Sequence, residues 1–373
     1  MTSPDEALLA RLTSLHETAD RALVPPRPSP ARELRDLADL ADTLGEAGGW
    51  DRYGEGGLVA ELERRLLELL GAPAAAFFPS GVMAQPAALR VRCDRAGTRR
   101  IALPDLSRLL VHEDDEPRRL HGFEVDHLTV GAVTPTRAHV DALPGRLAAV
   151  LLELPLRDAG YLLPGWDDLV AVADACRARG IALHLDGARL WESAPHYDRE
   201  LAEITSLADT TYVSFYKGLG GLAGAALVGP TDVIAEARLW RRRHGGTLFS
   251  IAPLALGALR GLDRQLPRMG ECHAYAVRHA AALQARGIRT APDRPHTTAF
   301  RVLLEREPDE LLRRAVEIAE TESLWLPGRW GRSDLPGWSF SEVTVTPAMI
   351  DAWGEPDRPD GPADALARLI TAT

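Results

Sequence analysis

Short apolar runs alternate with segments of helical periodicity over residues 74–228, and this alternation limits the possible folds more than any other feature. The predicted strands are Ala74–Phe78, Arg100–Leu103, Val125–Thr129, Leu147–Leu154, Ile181–Leu185, Thr211–Phe215 and Gly224–Val228. The spacing of apolar residues predicts helices over Val82–Arg92 and Trp166–Arg179. Strands that alternate with helices form a mostly parallel sheet with helices on both faces. The sequence therefore predicts an α/β fold.

The segments on either side of this stretch differ from it. Residues 1–50 are helical in pattern and contain a proline-rich run, so we treat them as an N-terminal helical segment. Residues 51–250 contain the alternating stretch and form the predicted large domain. Long helices and short strands follow through residues 251–373, with a last helix over Ala363–Thr371. We expect this part to form a smaller α+β domain.

Composition and charge exclude several classes of protein. The 373-residue chain is 46% hydrophobic, which is enough for a large buried core. Its net charge is −10 and its arginines lie among acidic neighbours, so no nucleic-acid partner is expected. No apolar run reaches the roughly 18–20 residues that span a bilayer, so no membrane partner is expected either.

The cysteines and the first residues indicate a compartment. Cys93, Cys176 and Cys272 lie far apart, and no C-x-x-C pair occurs. We therefore expect neither a disulfide framework nor a metal site. The segment Met1–Glu6 lacks the basic start and apolar run of a signal peptide. These features favour a reducing cytoplasm.

Two charged residues stand at or just past the carboxyl ends of predicted buried strands, where ligands of parallel sheets gather. Asp186 follows Ile181–Leu185. Lys217 follows Thr211–Phe215 and opens a glycine-rich turn. A pyridoxal 5'-phosphate enzyme needs a lysine amine that forms a Schiff base and a carboxylate that holds a proton on the pyridine nitrogen. The alternative is that Lys217 is a solvated strand end and Asp186 caps the next turn.

The run Ser80-Gly81-Val82 joins a predicted strand to a helix. The free N–H groups and the dipole of a helix start can bind a phosphate group. Serine and glycine before a helix are also an ordinary cap, so this run alone leaves both interpretations open. In combination with Asp186 and Lys217, it favours a cofactor phosphate.

Five segments in the order of the chain carry a family resemblance. They are Arg52–Glu55, Pro79–Ala84, His184–Arg189, Lys217–Gly221 and Gly224–Gly229. Together they resemble the threonine aldolase and β-eliminating lyase family of fold-type I pyridoxal phosphate enzymes. The resemblance implies a large domain with a mostly parallel sheet, a smaller α+β domain, and a homodimer or homotetramer.

The resemblance also implies roles for residues around the predicted cofactor. Ser214 stands where many enzymes of this fold bind the cofactor phosphate. Glu153 takes the place of a family glutamate at a strand end beside the cofactor. Arg189 would lie near the phenolic oxygen of the cofactor or the substrate carboxylate; its alternative is a surface ion pair with Asp186 or Glu192.

Further residues resemble a family interface. Tyr53 and the cluster Arg241-Arg242-Arg243 correspond to segments that lie near a dimer interface and reach toward the neighbouring site. We therefore expect Tyr53 to contribute to substrate binding. The alternative for the cluster is a solvated basic helix end, which also favours the helix dipole.

One departure from the family concerns the residue that stacks on the cofactor ring. The family usually has a histidine after the serine of this segment, and here Arg108 follows Ser107. A guanidinium can lie flat on an aromatic face, so Arg108 is expected to bind the cofactor. Its very high pKa makes it a poor general base. The nearby His112 is interpreted as a bystander.

A second departure follows the strand Leu147–Leu154. The family usually has a histidine three residues after the glutamate, and this chain has Leu156 there. Arg157 supplies a cation where the family has a neutral amide, which suits a substrate carboxylate. Both family histidines that could act as a base are therefore replaced.

The resemblance implies a pyridoxal phosphate-dependent carbon–carbon lyase that cleaves a β-hydroxy-α-amino acid to glycine and an aldehyde. The base for the β-hydroxyl would be Lys217 or a water. The alternative is β-elimination, racemisation or other chemistry of the Cα proton, with Lys217 as base. A third possibility is a scaffold of this fold that has lost catalysis and serves as a binding protein.

Overall fold

The structure is a computed structural model that describes residues 4–370, with the side chains of all of these except residues 4, 46 and 47. The first three residues of the segment considered for a signal peptide, and Thr371, lie outside this range. The chain divides into two compact units, residues 30–269 and residues 4–29 with 270–370. Each unit is described by itself.

The helices follow the chain in this order: α1 Pro4–His16, α2 Pro30–Thr43, α3 Gly57–Leu70, α4 Gly81–Ala96, α5 Arg108–Val111, α6 Glu116–His121, α7 Arg137–Ala142, α8 Trp166–Ala178, α9 Leu190–Tyr197, α10 Leu201–Thr205, α11 Thr231–Arg243, α12 Ala252–Arg264, α13 Met269–Gln284, α14 Pro308–Glu322, α15 Pro347–Trp353 and α16 Pro362–Ala367. Two short 3₁₀ helices span Gly45–Gly48 and Leu266–Arg268.

The strands are β1 Arg21–Ala22, β2 Ala74–Phe78, β3 Arg100–Leu103, β4 Glu124–His127, β5 Ala149–Glu153, β6 Ala182–Gly187, β7 Thr210–Ser214, β8 Ala225–Gly229, β9 Arg289–Ala291, β10 Ala299–Leu304, β11 Leu324–Trp325, β12 Gly331–Arg332 and β13 Ser339–Thr344. All seven strands predicted over residues 74–228 are present; β2 and β3 have the predicted ends, and the ends of the other five are shifted by one or two residues. Strand ends are the least certain part of any such prediction, because the apolar run often continues past the last paired residue.

The large unit is built around a seven-stranded sheet of order β2-β8-β7-β6-β5-β3-β4. The pairs β7–β6, β6–β5, β5–β3 and β3–β4 are parallel, and β8 is antiparallel to both of its neighbours. The predicted mostly parallel sheet is confirmed. Strands β5, β7 and β8 are buried along their whole length, as expected for a sheet covered on both faces.

Helices cover both faces of this sheet. Apolar residues of α3, α8 and α12 share one hydrophobic core with the sheet, and residues of α4 and α11 pack in a second cluster on other strand residues. Helix α4 begins at a cap, where Ser80 Oγ accepts the backbone N–H of Met83 at 3.4 Å. The loop before this helix therefore brings its start to the carboxyl end of β2.

The unit boundaries differ from the predicted domain boundaries of residues 1–50, 51–250 and 251–373. Residues 30–50 and 251–269 belong to the large unit, because α2 packs on α12. Leu37 of α2 is buried in the core that also contains Leu259, and Arg260 forms an ion pair with Glu33. An amphipathic helix does not reveal its partner in the sequence.

The small unit contains α1 and the chain after residue 270. Its four-stranded sheet has the order β12-β13-β10-β9, and all three pairs are antiparallel. A separate parallel pair joins β1 to β11. The predicted last helix, Ala363–Thr371, is α16 and ends at Ala367.

In residues 4–370, no helix is both long and apolar enough to cross a membrane. Cys93, Cys176 and Cys272 are buried, and none of the three forms a disulfide in the described part of the chain.

Candidate active site

The carboxyl ends of three neighbouring strands meet at one edge of the large sheet. Glu153 ends β5, Asp186 lies near the end of β6, and Lys217 lies three residues beyond β7. Asp186 pairs in register with Glu153 on one side and with Tyr212 on the other. The negative charges of Asp186 and Glu153 both raise the pKa of Lys217, so the three groups are close together.

Asp186 is completely buried, with 0% of its surface exposed. Its Oδ1 accepts the backbone N–H of Ala188 at 3.0 Å. Its Oδ2 is buried and makes no hydrogen bond of good geometry within residues 4–370, although the Gln85 side chain lies close enough to lower the pKa of Asp186. Burial raises the pKa of Asp186, and the opposing effects of Lys217 and the Ala188 N–H are smaller. Because a buried carboxylate oxygen without a donor is costly, this atom fits a ligand that brings a proton donor to it.

Lys217 is half-buried in the turn after β7. Burial lowers its pKa most, the cations of Arg189 and Arg108 lower it further, and Asp186 and Glu153 oppose them. A lowered pKa increases the fraction of neutral amine, which is the nucleophile.

Sequence reasoning missed a signal in the composition. Lys217 is the only lysine among the 43 lysines and arginines of the chain. Arginine serves at every other cationic position, and only lysine can be deprotonated to a primary amine under ordinary conditions. The composition therefore singles out position 217 as the place where an amine is needed.

Arg189 lies between Asp186 and helix α9. Its Nη1 donates to Glu192 Oε1 and Oε2 at 3.1 and 2.9 Å, and its guanidinium carbon lies 5.2 Å from the ring centre of Tyr161. The ion pair with Glu192 that sequence reasoning placed at the surface is therefore present, but the Glu192 side chain is fully buried. Its carboxylate holds Arg189 beside the lysine.

Glu153 joins two loops at the site. Its Oε2 accepts the backbone N–H of Arg108 at 2.8 Å, and its Oε1 accepts that of Arg157 at 3.2 Å. Burial, and then the negative charge of Asp186, raise its pKa in spite of these bonds. Glu153 thus fixes the positions of both segments where the chain departs from the family.

The side chains of Arg108 and Arg157 each contact a neighbouring residue. Arg108 Nε forms an ion pair with Glu113 Oε1 at 2.9 Å, and its charge acts on both Asp186 and Lys217. Arg157 Nη1 lies 3.4 Å from His112 Nε2. The backbones of both arginines are tied to the end of β5, and their roles toward cofactor and substrate stay predictions.

The start of α4 lies beside a tyrosine hydroxyl that sequence reasoning missed. A Cβ at Gly81 would lie 2.1 Å from the Tyr212 Oη, so that hydroxyl presses against the helix start. Burial keeps the pKa of Tyr212 well above its ordinary value, and Ser214 lies next to it. The sequence did not indicate a role for Tyr212, because a tyrosine inside a predicted buried strand is usually interpreted as a core residue.

Ser214 supplies a further polar atom here. Its Oγ is buried and makes no hydrogen bond of good geometry in the described part of the chain. The first N–H groups of a helix, which for α4 are those of Gly81 and Val82, have no partner inside the helix. Together with the Tyr212 hydroxyl, they form a set of donors suited to a phosphate.

Tyr53 and the basic cluster lie elsewhere in the large unit. Tyr53 is half exposed, its backbone N–H donates to Phe249 O at 2.8 Å, and the two rings meet edge to face. Arg241 is buried and donates to Phe77 O, so it is not part of a solvated helix end, whereas Arg242 and Arg243 are exposed. The role of Tyr53 in substrate binding stays a prediction.

Leu156 lies in the core. It is 2% exposed and pairs with Leu162 in an isolated bridge. The side chain at this family histidine position therefore offers no acid or base.

The residues present fit pyridoxal phosphate. The orphaned Asp186 Oδ2 suits the pyridine N–H, the amine of Lys217 suits the aldehyde, and the start of α4 with Tyr212 and Ser214 suits the phosphate. Each chemical group of the cofactor thus finds a partner at the same sheet edge.

Comparison with known proteins agrees with this geometry. A sequence model of the Beta-eliminating lyase family matches residues 30–306. The chain is similar to the low specificity L-threonine aldolase of Escherichia coli K12, with 29% identity over 245 residues, 64% of this chain and 73% of that protein.

Two solved structures are similar over nearly the whole chain. One is a candidate L-allo-threonine aldolase of Listeria monocytogenes, with 32% identity, a TM-score of 0.87 and coverage of 97% of this chain and 98% of that one. The other is a candidate aromatic amino acid β-eliminating lyase/threonine aldolase of Exiguobacterium, with 32% identity, a TM-score of 0.87 and coverage of 96% and 99%.

Proposed function

The chain belongs to the β-eliminating lyase family and is a pyridoxal phosphate-dependent lyase of the threonine aldolase type; from this premise we propose that it cleaves the Cα–Cβ bond of β-hydroxy-α-amino acids. The products would be glycine and an aldehyde. The observation that carries the proposal is the grouping of Lys217, Asp186 and Arg189 at one sheet edge, with Asp186 Oδ2 left for a ring nitrogen.

The residues of the chain divide the work between them. When bound, pyridoxal phosphate supplies an electron sink for the pair left by the broken bond. Asp186 keeps a proton on the ring nitrogen, because its buried carboxylate is more stable beside a cation. Lys217, whose lowered pKa favours the neutral, nucleophilic amine, would hold the cofactor through its aldehyde. Arg189, fixed by Glu192, presents a cation to the substrate carboxylate or the phenolic oxygen.

Arg108 and Arg157 complete the proposed substrate side. Glu153 ties the backbones of both arginines to the end of β5, and the charge of Arg108 acts on Asp186 and Lys217. Arg108 lies on the ring and Arg157 binds an anionic group of the substrate. The phosphate is held by Ser80, Gly81, Val82 and Ser214. Tyr53 contributes to substrate binding from the loop that bonds Phe249.

A second reaction is favoured by one specific observation. The positions of both family histidines carry Arg108 and Leu156, which are not bases, while Lys217 keeps a lowered pKa. A site with a lysine base alone would remove the Cα proton and lead to β-elimination or racemisation.

The test is aldehyde release from L-threonine and L-allo-threonine by the purified protein saturated with pyridoxal phosphate. Release by the wild type that disappears in Lys217→Ala supports aldol cleavage. Loss or inversion of the substrate without aldehyde would instead identify Cα-proton chemistry. A protein that takes up the cofactor but converts no amino acid would be a binding protein of this fold.

We also propose a homodimer or homotetramer in the cytoplasm. The exposed rings of Tyr53 and Phe249 form one apolar surface of the large unit, and three buried cysteines that form no disulfide among the described residues suit a reducing compartment. Sedimentation equilibrium of the wild type and of Phe249→Ser would test the assembly. A monomer in both cases would contradict it.

A further inference from the structure

A histidine and an aspartate form a pair beside the candidate site. His112 follows α5, and its backbone N–H donates to Arg108 O at 2.9 Å. Its Nε2 lies 2.9 Å from Asp158 Oδ2 and 3.4 Å from Arg157 Nη1. These three residues, His112, Arg157 and Asp158, are called the His112 cluster below. The ring is about one-third exposed, so part of it faces solvent.

The His112 cluster is tied to the site by backbone bonds. Glu153 accepts the backbone N–H of Arg108, which lies four residues before His112. It also accepts the backbone N–H of Arg157, a member of the cluster. Glu153 is itself in register with Asp186. The cluster therefore stands on the same sheet edge as Asp186, one strand to the side.

Cleavage of a β-hydroxy amino acid requires a proton acceptor. The β-oxygen becomes a carbonyl, so its O–H proton must leave as the Cα–Cβ bond breaks. Arg108 stays charged and cannot accept it, and Leu156 has no titratable group. Glu153 already accepts a backbone N–H with each of its oxygens, and Lys217 and His112 are the nitrogen bases that the described residues offer near this edge.

We infer that His112, oriented by Asp158, accepts the β-hydroxyl proton, an inference that rests on the proposed aldol cleavage. Nε2 faces both the Asp158 carboxylate at 2.9 Å and the Arg157 donor at 3.4 Å, and the shorter contact with the carboxylate assigns the ring proton to Nε2, which leaves the lone pair on Nδ1. The O–H proton goes to Nδ1, the O–H pair forms the C=O bond, and the Cα–Cβ pair moves to Cα. A proton delivered to Cα then gives glycine.

The groups around the ring fit this role. Asp158 stabilises the imidazolium that forms, in the manner of a carboxylate behind a catalytic histidine. Arg157 faces the same nitrogen, and its Nη1 lies 3.9 Å from Asp158 Oδ1. Arg108 and Glu113, which flank His112 along the chain, pair with each other at 2.9 Å, so their charges largely cancel toward the ring.

The two candidate bases can be separated by two reactions of one protein. Exchange of the glycine α-hydrogen with deuterium requires a base at Cα but none at a β-oxygen. Aldehyde release from L-threonine requires both. The informative quantity is therefore the ratio of the cleavage rate to the exchange rate, measured by NMR and aldehyde detection on the same holoenzyme.

His112→Asn should lower this ratio by about 100-fold, the usual contribution of a general base. Asp158→Asn should lower it by a smaller factor, because the base remains but loses its orientation. The matched control is His127→Asn, which changes an exposed histidine at the end of β4. It should leave the ratio at the wild-type value.

The pH profile gives a second readout. A ring that is already protonated cannot accept the hydroxyl proton, so part of the loss of wild-type cleavage in acid should be missing in His112→Asn. A ratio within threefold of the wild type in His112→Asn, or an unchanged loss of cleavage in acid, would overturn the inference and leave Lys217 as the base. A wild type that exchanges glycine but releases no aldehyde would refute the proposed cleavage itself, and this inference with it.

Discussion

Glu192 binds Arg189 and also lies directly against Gly218, the residue that follows Lys217. Both Glu192 carboxylate oxygens accept from one nitrogen of Arg189, at 3.1 and 2.9 Å, and the glutamate side chain is fully buried. A Cβ at Gly218 would lie 2.1 Å from Glu192 Oε1. The backbone of the lysine turn thus rests on the carboxylate that orients the arginine, and the position of Lys217 depends on the absence of a side chain at 218.

Gly218→Ala should therefore disturb catalysis. The added methyl group collides with a buried carboxylate, so either the turn or the Arg189 ion pair must shift. We expect kcat/KM to fall by roughly 100-fold, since a displacement of about 1 Å at a reacting group costs this much. The control is Gly270→Ala, where a Cβ meets nothing within 4 Å. Steady-state kinetics checks both variants, and equal activities would show that the close approach has no role.

The lowered pKa of Lys217 predicts the pH dependence of cofactor capture. Only the neutral amine attacks the aldehyde, and burial with the Arg189 and Arg108 cations favours that form. The midpoint of the capture rate should lie below the ordinary lysine value of 10.5, and it should rise in Arg108→Gln. Borohydride reduction followed by mass spectrometry measures the bound label. Lys217→Arg keeps the cation and should carry no label on that side chain. A midpoint at or above 10.5 would contradict the environment described here.

Asp186→Asn separates cofactor binding from stability. In the cofactor-free protein, burial raises the pKa of Asp186, so the folded state binds its proton more tightly than the unfolded state. The ionised carboxylate therefore destabilises the fold at neutral pH, and this cost decreases as the pH falls through the raised pKa toward 3.8. The buried Gln85 Oε1, which has no hydrogen-bond partner among the described residues, can accept from an asparagine amide.

At pH 7 we expect the cofactor-free Asp186→Asn protein to be more stable than the wild type by about 1 kcal/mol, the lower range for a buried unsatisfied polar group. Urea unfolding at several pH values measures the difference, which should shrink in acid. Affinity for pyridoxal phosphate should fall at the same time. A variant that is less stable at pH 7 would show that the carboxylate is satisfied without the cofactor.

Much of the fold follows from the sequence, and the limits have physical causes. Buried strands carry apolar runs, so β2, β5 and β7 were found with small shifts. The antiparallel direction of β8 could not be read, because five apolar residues look the same in either direction. The partner of α2 was equally hidden, since its apolar face matches many helices.

The sequence predicts site residues where a charge stands near the end of an apolar strand, as at Asp186, or shortly after one, as at Lys217. The burial of Glu192 and the contribution of Tyr212 were not predicted. Glu192 lies in the first turn of helix α9, and a glutamate at such a position is usually exposed to solvent. Tyr212 lies inside a buried strand, and only the folded backbone brings its hydroxyl to Gly81. Such contacts depend on elements that are distant in sequence.

Tyr212→Phe tests the phosphate site. The hydroxyl stays protonated because burial raises its pKa, so it can donate to an anion at the start of α4. Removing one hydrogen bond to a charged group should weaken pyridoxal phosphate binding by about 10- to 100-fold. Pyridoxal, which lacks the phosphate, is the matched ligand and should bind both proteins equally. Fluorescence titration measures the four affinities, and an equal loss for both ligands would place the hydroxyl at the ring instead.

Asp51 fixes the loop that carries Tyr53. It is 1% exposed, its Oδ1 accepts from Ser250 Oγ at 2.6 Å and from the N–H groups of Ile251 and Ala252 at 2.9 Å, and its Oδ2 accepts from Gly54 N at 2.9 Å. These bonds join the loop to the positive end of α12.

Asp51→Asn removes the charge and turns a donor toward at least one of these N–H groups. We expect a loss of about 2–3 kcal/mol in the free energy of unfolding by urea, as for charged hydrogen bonds. Asp42→Asn on the exposed face of α2 should change it by less than about 0.5 kcal/mol. Equal values for the two variants would mean that the loop is held by the Tyr53–Phe249 contact instead.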